Sequence, residues 1–230
     1  PWDDDIDVAL PRDSYNKLLK LGDKVFSSDY FLQSPYNCKK SPFPYTKLRV
    51  RGTKYVEYIN RNIDIESGIY IDIYPVDKIP DDEKLRRRQY RQVRKWILIY
   101  VCRQSRLYDK KVNGLKSFLK NIIRWIVCNG LKVFSQAYCI HKIDYYMTKY
   151  NKYDSKRYAA LNSPNYDNIY LNLYPIQNKK FDELTVKVPG DYKTHLKMRY
   201  GDYSALPPEE KRVGHIPYIL DFGEKYENKS

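Results

Sequence analysis

The tightest constraint on how this chain can fold lies at its start, in PWDDDIDVALP. Four aspartates fall within five residues there and run directly into apolar sequence. Like charges this close repel and raise one another's pKa, so a fold keeps them only where water solvates the cluster or a cation offsets it. In an extended segment the two-residue period puts Asp3, Asp5 and Asp7 on one face and Ile6 and Val8 on the other. A second run, GIYIDIYPV, alternates in the same way, with Ile69, Ile71 and Ile73 opposite Tyr70, Asp72 and Tyr74, and Pro75 is expected to close it. If the two runs are neighbouring strands, Asp72 supplies a third carboxylate. Convergent oxygen ligands of this kind suit Mg²⁺, with Mn²⁺ as a substitute, because Mg²⁺ shares its remaining positions with water and substrate phosphates. The expected metal set is Asp3, Asp5, Asp7 and Asp72, of which Asp5, Asp7 and Asp72 are also the expected catalytic residues.

Three other readings compete. An acidic run is commonly a solvated turn, but the apolar flanks weigh against that here. A calcium loop of the EF-hand type starting at Asp3 would need Gly sixth and Glu twelfth, where this chain has Val8 and Ser14. A helix N-terminus also gathers aspartates, yet the helix signals begin later, at Pro11, with Asp13 in the first turn and Leu18, Leu19 and Val25 at helical spacing.

With 230 residues the chain can form one domain with a real core, or one domain plus a helical appendage. Pro1 is not an initiator, and an upstream part of the parent protein is expected. Hydrophobic content of 42% against 30% charged residues excludes a disordered chain. The net charge of +14 suits a polyanion, an acidic membrane face or a phosphate-bearing small molecule. No stretch reaches the roughly 18 uncharged apolar residues of a spanning helix, and no secretory signal is visible. Cys38, Cys102, Cys128 and Cys139 lack zinc or redox spacing and read as reduced thiols of a cytoplasmic protein. The 25 tyrosines read as compositional bias without chemistry.

Along the chain, the segment from Ser34 to Pro44 reads as a proline-rich loop, and in YTKLRVRGTKYVEYI Leu48 and Val50 alternate with Lys47, Arg49 and Arg51. Residues 81–150 change character. Val93, Trp96, Ile97, Tyr100 and Val101 form one helical stripe; Leu115, Phe118, Leu119, Ile122 and Ile126 form a second. Asn129-Gly130 interrupts the second stripe before another helix that runs to about Tyr150. The last third returns to short strands and turns, including YLNLYPI and the strand FDELTVKVP. This gives strands in 1–80, a helical insertion in 81–150 and a return to the first unit in 151–230.

Three stretches resemble the signature blocks of the LicD family of phosphotransferases, which are related to the fukutin-type enzymes: PWDDDIDVALPRDSYNKLL, GIYIDIYPVDKIP and YGDYSALPPEEKRVGH, in the family's order. The resemblance implies an α+β fold, a nucleotidyltransferase-like mixed β-sheet with an inserted helical region. In that fold an Asp-apolar-Asp pair stands on one strand and a further Asp on the next, as Asp5-Ile6-Asp7 and Asp72 do. It further implies Mg²⁺, a CDP-activated donor, and transfer of a phosphate-linked polar group such as phosphocholine to a hydroxyl of a cell-surface glycan, lipopolysaccharide or teichoic acid for example. Two departures stand out. The family's Gly-rich segment before the first block is not in these residues, and where relatives commonly end the last block with two histidines, His215 is followed by Ile216.

Lys47 and Arg49 share a strand face and resemble basic positions of the family's second strand, so they are expected at the donor's phosphates, with Arg212 and His215 of the last block reaching the same site. Gly68 is expected only to begin a strand. The basic, apolar helices at 84–135 either pack on the core or lie against an anionic membrane near a lipid-linked acceptor, which would make the protein peripheral at the membrane. The run RRRQYRQVRK and a pI near 9.4 suggest a nucleic-acid binder instead. No binding motif accompanies them, and an acidic metal cluster repels a polyanion, so nucleic acid is not the expected partner. A relative that has lost catalysis and serves as a scaffold is the remaining alternative; the retained aspartates oppose it.

Overall fold

In the computed structural model, residues 5–104, 115–163, 169–209, 212 and 214–224 are described. The chain is α+β. It opens with β1 (Asp7–Pro11), α1 (Arg12–Leu21), β2 (Tyr30–Gln33), β3 (Thr46–Val50), β4 (Lys54–Val56) and β5 (Tyr70–Lys78). Three helices follow: α2 (Glu83–Gln104), α3 (Leu115–Gly130) and α4 (Gln136–Thr148). The chain continues through β6 (Tyr158–Ala159), β7 (Ile169–Tyr170), the hairpin β8 (Gln177–Phe181) and β9 (Leu184–Val188), α5 (Tyr192–Tyr200) and β10 (Ile219–Asp221).

The central sheet runs β2-β3-β5-β6-β7, with β1 added alongside β5. β1 is parallel to β5 and β3 antiparallel to it, so the sheet is mixed. Two-residue periodicity divides its faces. One face carries Ile73, Leu32, Leu48, Val8 and Leu10, and α1 covers it with Tyr15, Leu18 and Leu19. The helix starts where its sequence signals placed it, with Pro11 just before the first turn. The hydroxyls of Tyr15 and Thr46 lie 2.7 Å apart in this interior, each satisfying the other.

The larger core lies between α2 and α4. Val93, Trp96, Ile97 and Tyr100, the first helical stripe, pack on Cys139, Ile140, Ile143 and Met147. Gln89 Nε2 donates to the carbonyls of Tyr146 and Met147, satisfying carbonyls at the C-terminal end of α4. The α2 stripe is thus core. α3 packs less closely on the body, and Phe118, Leu119, Ile122 and Ile126 of its stripe are exposed.

Several local expectations need correction. Pro75 does not end β5, which continues to Lys78. Proline removes one donor, but Pro75 falls in a gap on that edge, beyond the last β3 partner at Ile73 and before the first β6 partner at Asp77. FDELTVKVP is not one strand: Asp182 turns at φ 52°, the left-handed region that aspartate tolerates, and splits it into β8 and β9. α5, with the Asp191 side chain capping Thr194 N–H, lies in a region read as strands and turns. Ile6, expected on the buried face, is exposed because β1 begins only at Asp7.

Candidate active site

The sheet face opposite α1 carries the polar residues. In the ladder Asp7 stands beside Asp72, and Asp72 stands beside Lys47. Three neighbouring strands therefore present a row of charged side chains on one face. Asp7 and Asp72 of this row, though not Lys47, line a cavity of about 540 Å³, whose walls include Asp5, Asp7, Asp72, Arg199, His215 and the tyrosines Tyr45, Tyr55, Tyr70 and Tyr74, with Glu57. Asp5 precedes the strand and reaches the cavity from a bend. The connection is tightened by Asp72 N–H, which donates to the Ile6 carbonyl at 3.3 Å.

Asp72 is positioned from two sides. Lys47 Nζ donates to Oδ1 at 2.6 Å and the Tyr74 hydroxyl donates to Oδ2 at 3.1 Å. Lys47 is only 1% exposed. Its ammonium lies 3.3 Å from the centroid of the Tyr70 ring, 4.3 Å from Phe43 and 5.1 Å from Tyr45, an aromatic surround that suits a cation stripped of water. Burial still disfavours its charge and brings its pKa down to about 8, against the opposing pull of Asp72. Burial also raises the Tyr45, Tyr70 and Tyr74 hydroxyls, and nearby carboxylates add to the effect, so these phenols remain protonated donors.

Arg49 shares the face of Lys47, as the strand period requires, and is likewise interior. Its Nε donates to Gln33 Oε1 at 2.8 Å and its Nη1 to the Gly68 carbonyl at 2.7 Å. Gly68 does not begin a strand, since β5 starts at Tyr70, but it is needed for a close approach of backbones. A Cβ there would lie 2.1 Å from the Val50 carbonyl oxygen, so only glycine lets the two backbones approach.

β10 brings the last sequence block to the site by pairing antiparallel with β4, and the Tyr55 hydroxyl donates to the His215 carbonyl at 2.6 Å. His215 thereby lines the cavity. Arg212 is exposed, donates to the Pro207 carbonyl and is not among the lining residues. Asp3 lies outside the described residues.

Among the described residues, no group of three or more His, Cys, Asp or Glu side chains encloses a metal-sized point. The carboxylates of Asp5, Asp7 and Asp72 nonetheless open on one cavity, and as hard oxygen donors they match the chemistry of Mg²⁺, which one or two carboxylates hold together with substrate phosphates. The site therefore fits a substrate-completed ion better than a preformed cage.

Sequence reasoning missed Arg199 and the four tyrosines. Arg199 immediately precedes the YGDY block, and Tyr70 and Tyr74 sit two residues either side of Asp72; both placements were signals. The tyrosine count had concealed them.

A mixed sheet thus places carboxylates from two adjacent strands on one tyrosine-lined cavity. The chain is distantly related to the LicD family: it is 23% identical over 221 residues to the lipopolysaccharide cholinephosphotransferase LicD of Haemophilus influenzae, covering 94% of this chain and 79% of that protein. No protein-family model and no solved structure matches it.

Proposed function

We propose that this protein is a transferase that moves a phosphate-linked polar group, phosphocholine first among the candidates, from a CDP-activated donor to a hydroxyl of a cell-surface glycan such as lipopolysaccharide. The observation that carries the reading is the convergence of Asp5, Asp7 and Asp72 on one tyrosine-lined cavity. Near-full-length similarity to a protein named for cholinephosphate transfer supports it. An aspartate pair beside a further aspartate on a mixed sheet also agrees with a nucleotidyltransferase-like fold.

Phosphoryl-type transfer asks a protein mainly for positioning and charge neutralisation. Asp5 and Asp7 are the residues that would hold Mg²⁺, or Mn²⁺ in its place, with Asp72 beside them; the ion would offset charge on the donor's diphosphate. Lys47 and Tyr74 hold the Asp72 carboxylate in a fixed orientation, from which it would help hold the ion or accept the proton of the attacking hydroxyl. Arg199 and His215, on the cavity wall, are assigned to the donor's phosphates, a role that Arg49 would have to leave Gln33 and Gly68 to fill. The tyrosine walls and Glu57 suit a quaternary ammonium, which aromatic faces attract.

The test is release of CMP from CDP-choline with Mg²⁺ and a glycan acceptor. Asp5→Asn and Asp7→Asn remove most turnover, whereas Asp4→Asn is mild. Equal losses from all three would reject the assignment. A melting-temperature screen of CDP-linked donors identifies the transferred group, because a ligand that binds only the folded state stabilises it in proportion to the logarithm of its concentration over Kd.

A further inference from the structure

An amphipathic helix of a globular protein turns its apolar stripe to the core. α3 does the reverse. Phe118, Leu119, Ile122, Ile123, Trp125 and Ile126 are each 39% to 61% exposed. Its half-buried side chains, among those described, are Asn121, Cys128 and Asn129. At 100° per residue the six apolar side chains fall on one broad arc, and Lys120 and Arg124 form a row along one border of it. From Lys110 to Lys142 the sequence contains seven Lys and Arg and no Asp or Glu. No helix among the described residues is long and apolar enough to cross a membrane.

From this arrangement we infer that α3 is a membrane-docking helix that lies in the interface of an anionic bilayer, its apolar arc among the acyl chains and its cations at the headgroups. The charge pattern selects this occupant. Two copies of the chain meeting through this face would bring two uncompensated rows of cations together, whereas anionic lipid neutralises the row. Lys and Arg bordering such an arc bury their stems and keep their charges at the headgroups, and Trp125 is the residue type that settles at membrane interfaces. The buried stripe of α2 belongs to the core, so the membrane contact is confined to α3 and its flanks.

The inference stands apart from the catalytic reading. Its test is flotation of the 230-residue chain with vesicles of phosphatidylcholine containing one quarter phosphatidylglycerol, against pure phosphatidylcholine, at low and high salt. The chain is expected to float with the anionic vesicles and far less with the neutral ones, and salt should weaken binding. The double variant Ile123→Glu/Ile126→Glu is expected to bind at least about tenfold more weakly, with an unchanged melting temperature, since both side chains are already exposed. Lys120→Glu/Arg124→Glu keeps the apolar arc and is expected to lose at least about tenfold on anionic vesicles alone, each cation near a charged surface being worth about fivefold. Wild-type chain that stays below anionic vesicles would overturn the inference. So would an Ile123→Glu/Ile126→Glu variant that floats as well as wild type, or a lipid-free dimer that this variant abolishes. Asp7→Asn floats normally if both readings hold, and the α3 variants keep their CMP release with a soluble acceptor.

Discussion

β5 carries two buried aspartates five residues apart, and the protein uses them in opposite ways. An odd spacing in a strand sends side chains to opposite faces. Asp77 points towards the helices, where Arg12 grips both carboxylate oxygens, Asn151 Nδ2 donates at 2.7 Å, and Arg12 Nη1 continues to Asp144 of α4 at 3.2 Å. Arg12 and Asn151 hold this carboxylate, and its side chain is wholly enclosed. Burial works against the Arg12 charge, but Asp77 and Asp144 outweigh it and raise its pKa. Asp72 also has a buried cation, Lys47, but its other side opens on the cavity. One pair ties the sheet to α1 and α4. The other holds a carboxylate in place while leaving it accessible. Burial and pairing alone therefore do not separate the two aspartates; an opening to a shared cavity does.

The largest effect is expected at the closed pair. Arg12→Ala leaves Asp77 charged and enclosed, and removing one partner of such a pair typically costs about 3–5 kcal/mol, a large share of the about 5–15 kcal/mol that holds a domain together. Urea denaturation measures it. A loss under 1 kcal/mol would show that water reaches Asp77 and would erase the contrast with Asp72.

At the open site the expected loss is in chemistry. Asp7→Asn removes a charge that lies at the cavity and is exposed, so turnover should fall by about 10² or more, the scale seen when one electrostatic contact to a transition state is lost, while the melting temperature moves little. Unfolding of this variant would place Asp7 with Asp77 as a structural residue, and retained CMP release would remove it from the catalytic set.

The contrast between the pairs also marks what the sequence could disclose. Alternation in GIYIDIYPV and the aspartate run gave the strands, their faces and the shared side of Asp7 and Asp72. Helical spacing gave α1, α2 and α3, and α4 was expected as the helix that follows Asn129-Gly130. What it could not show was tertiary. Arg12 and Asp77 are 65 residues apart, and neither stands in a pattern that names the other. The stripes of α2 and α3 read alike, yet the first is buried against α4 and the second is exposed, because periodicity defines a face and not what covers it. Lys47 and Arg49 read as a phosphate-facing pair because the period fixes a side of the strand and not how deeply it lies.

Lys47→Met sharpens the comparison at lower amplitude. It leaves Asp72 without its cation, but Tyr74 still donates and the cavity admits water, so the cost should approach that of one broken hydrogen bond, about 1–3 kcal/mol. A cost equal to that of Arg12→Ala would mean that Asp72 is as closed as Asp77.

The smallest effect, and the most specific, is in pH dependence. Burial holds Lys47 at about 8 in the folded protein against 10.5 for an ordinary lysine. Between those values the unfolded chain keeps the proton that the folded one has released, so the unfolded state binds more protons and stability rises with pH. This contribution is fully present above 10.5 and lost as pH falls through about 8. From pH 8 to 9 it amounts to about 1 kcal/mol. So that contributions from the rest of the chain cancel, the quantity to measure is the difference between wild type and Lys47→Met across pH 7 to 10. A difference that widens in favour of wild type with rising pH assigns the change to Lys47. The same deprotonation frees Asp72 from its ammonium, so affinity of the site for Mg²⁺ should climb through the same window. Arg12, whose pKa is raised, releases no proton there. A flat difference curve would mean that Lys47 keeps its proton as firmly as Arg12 does, and the two aspartates of β5 would then differ only in which one faces the cavity.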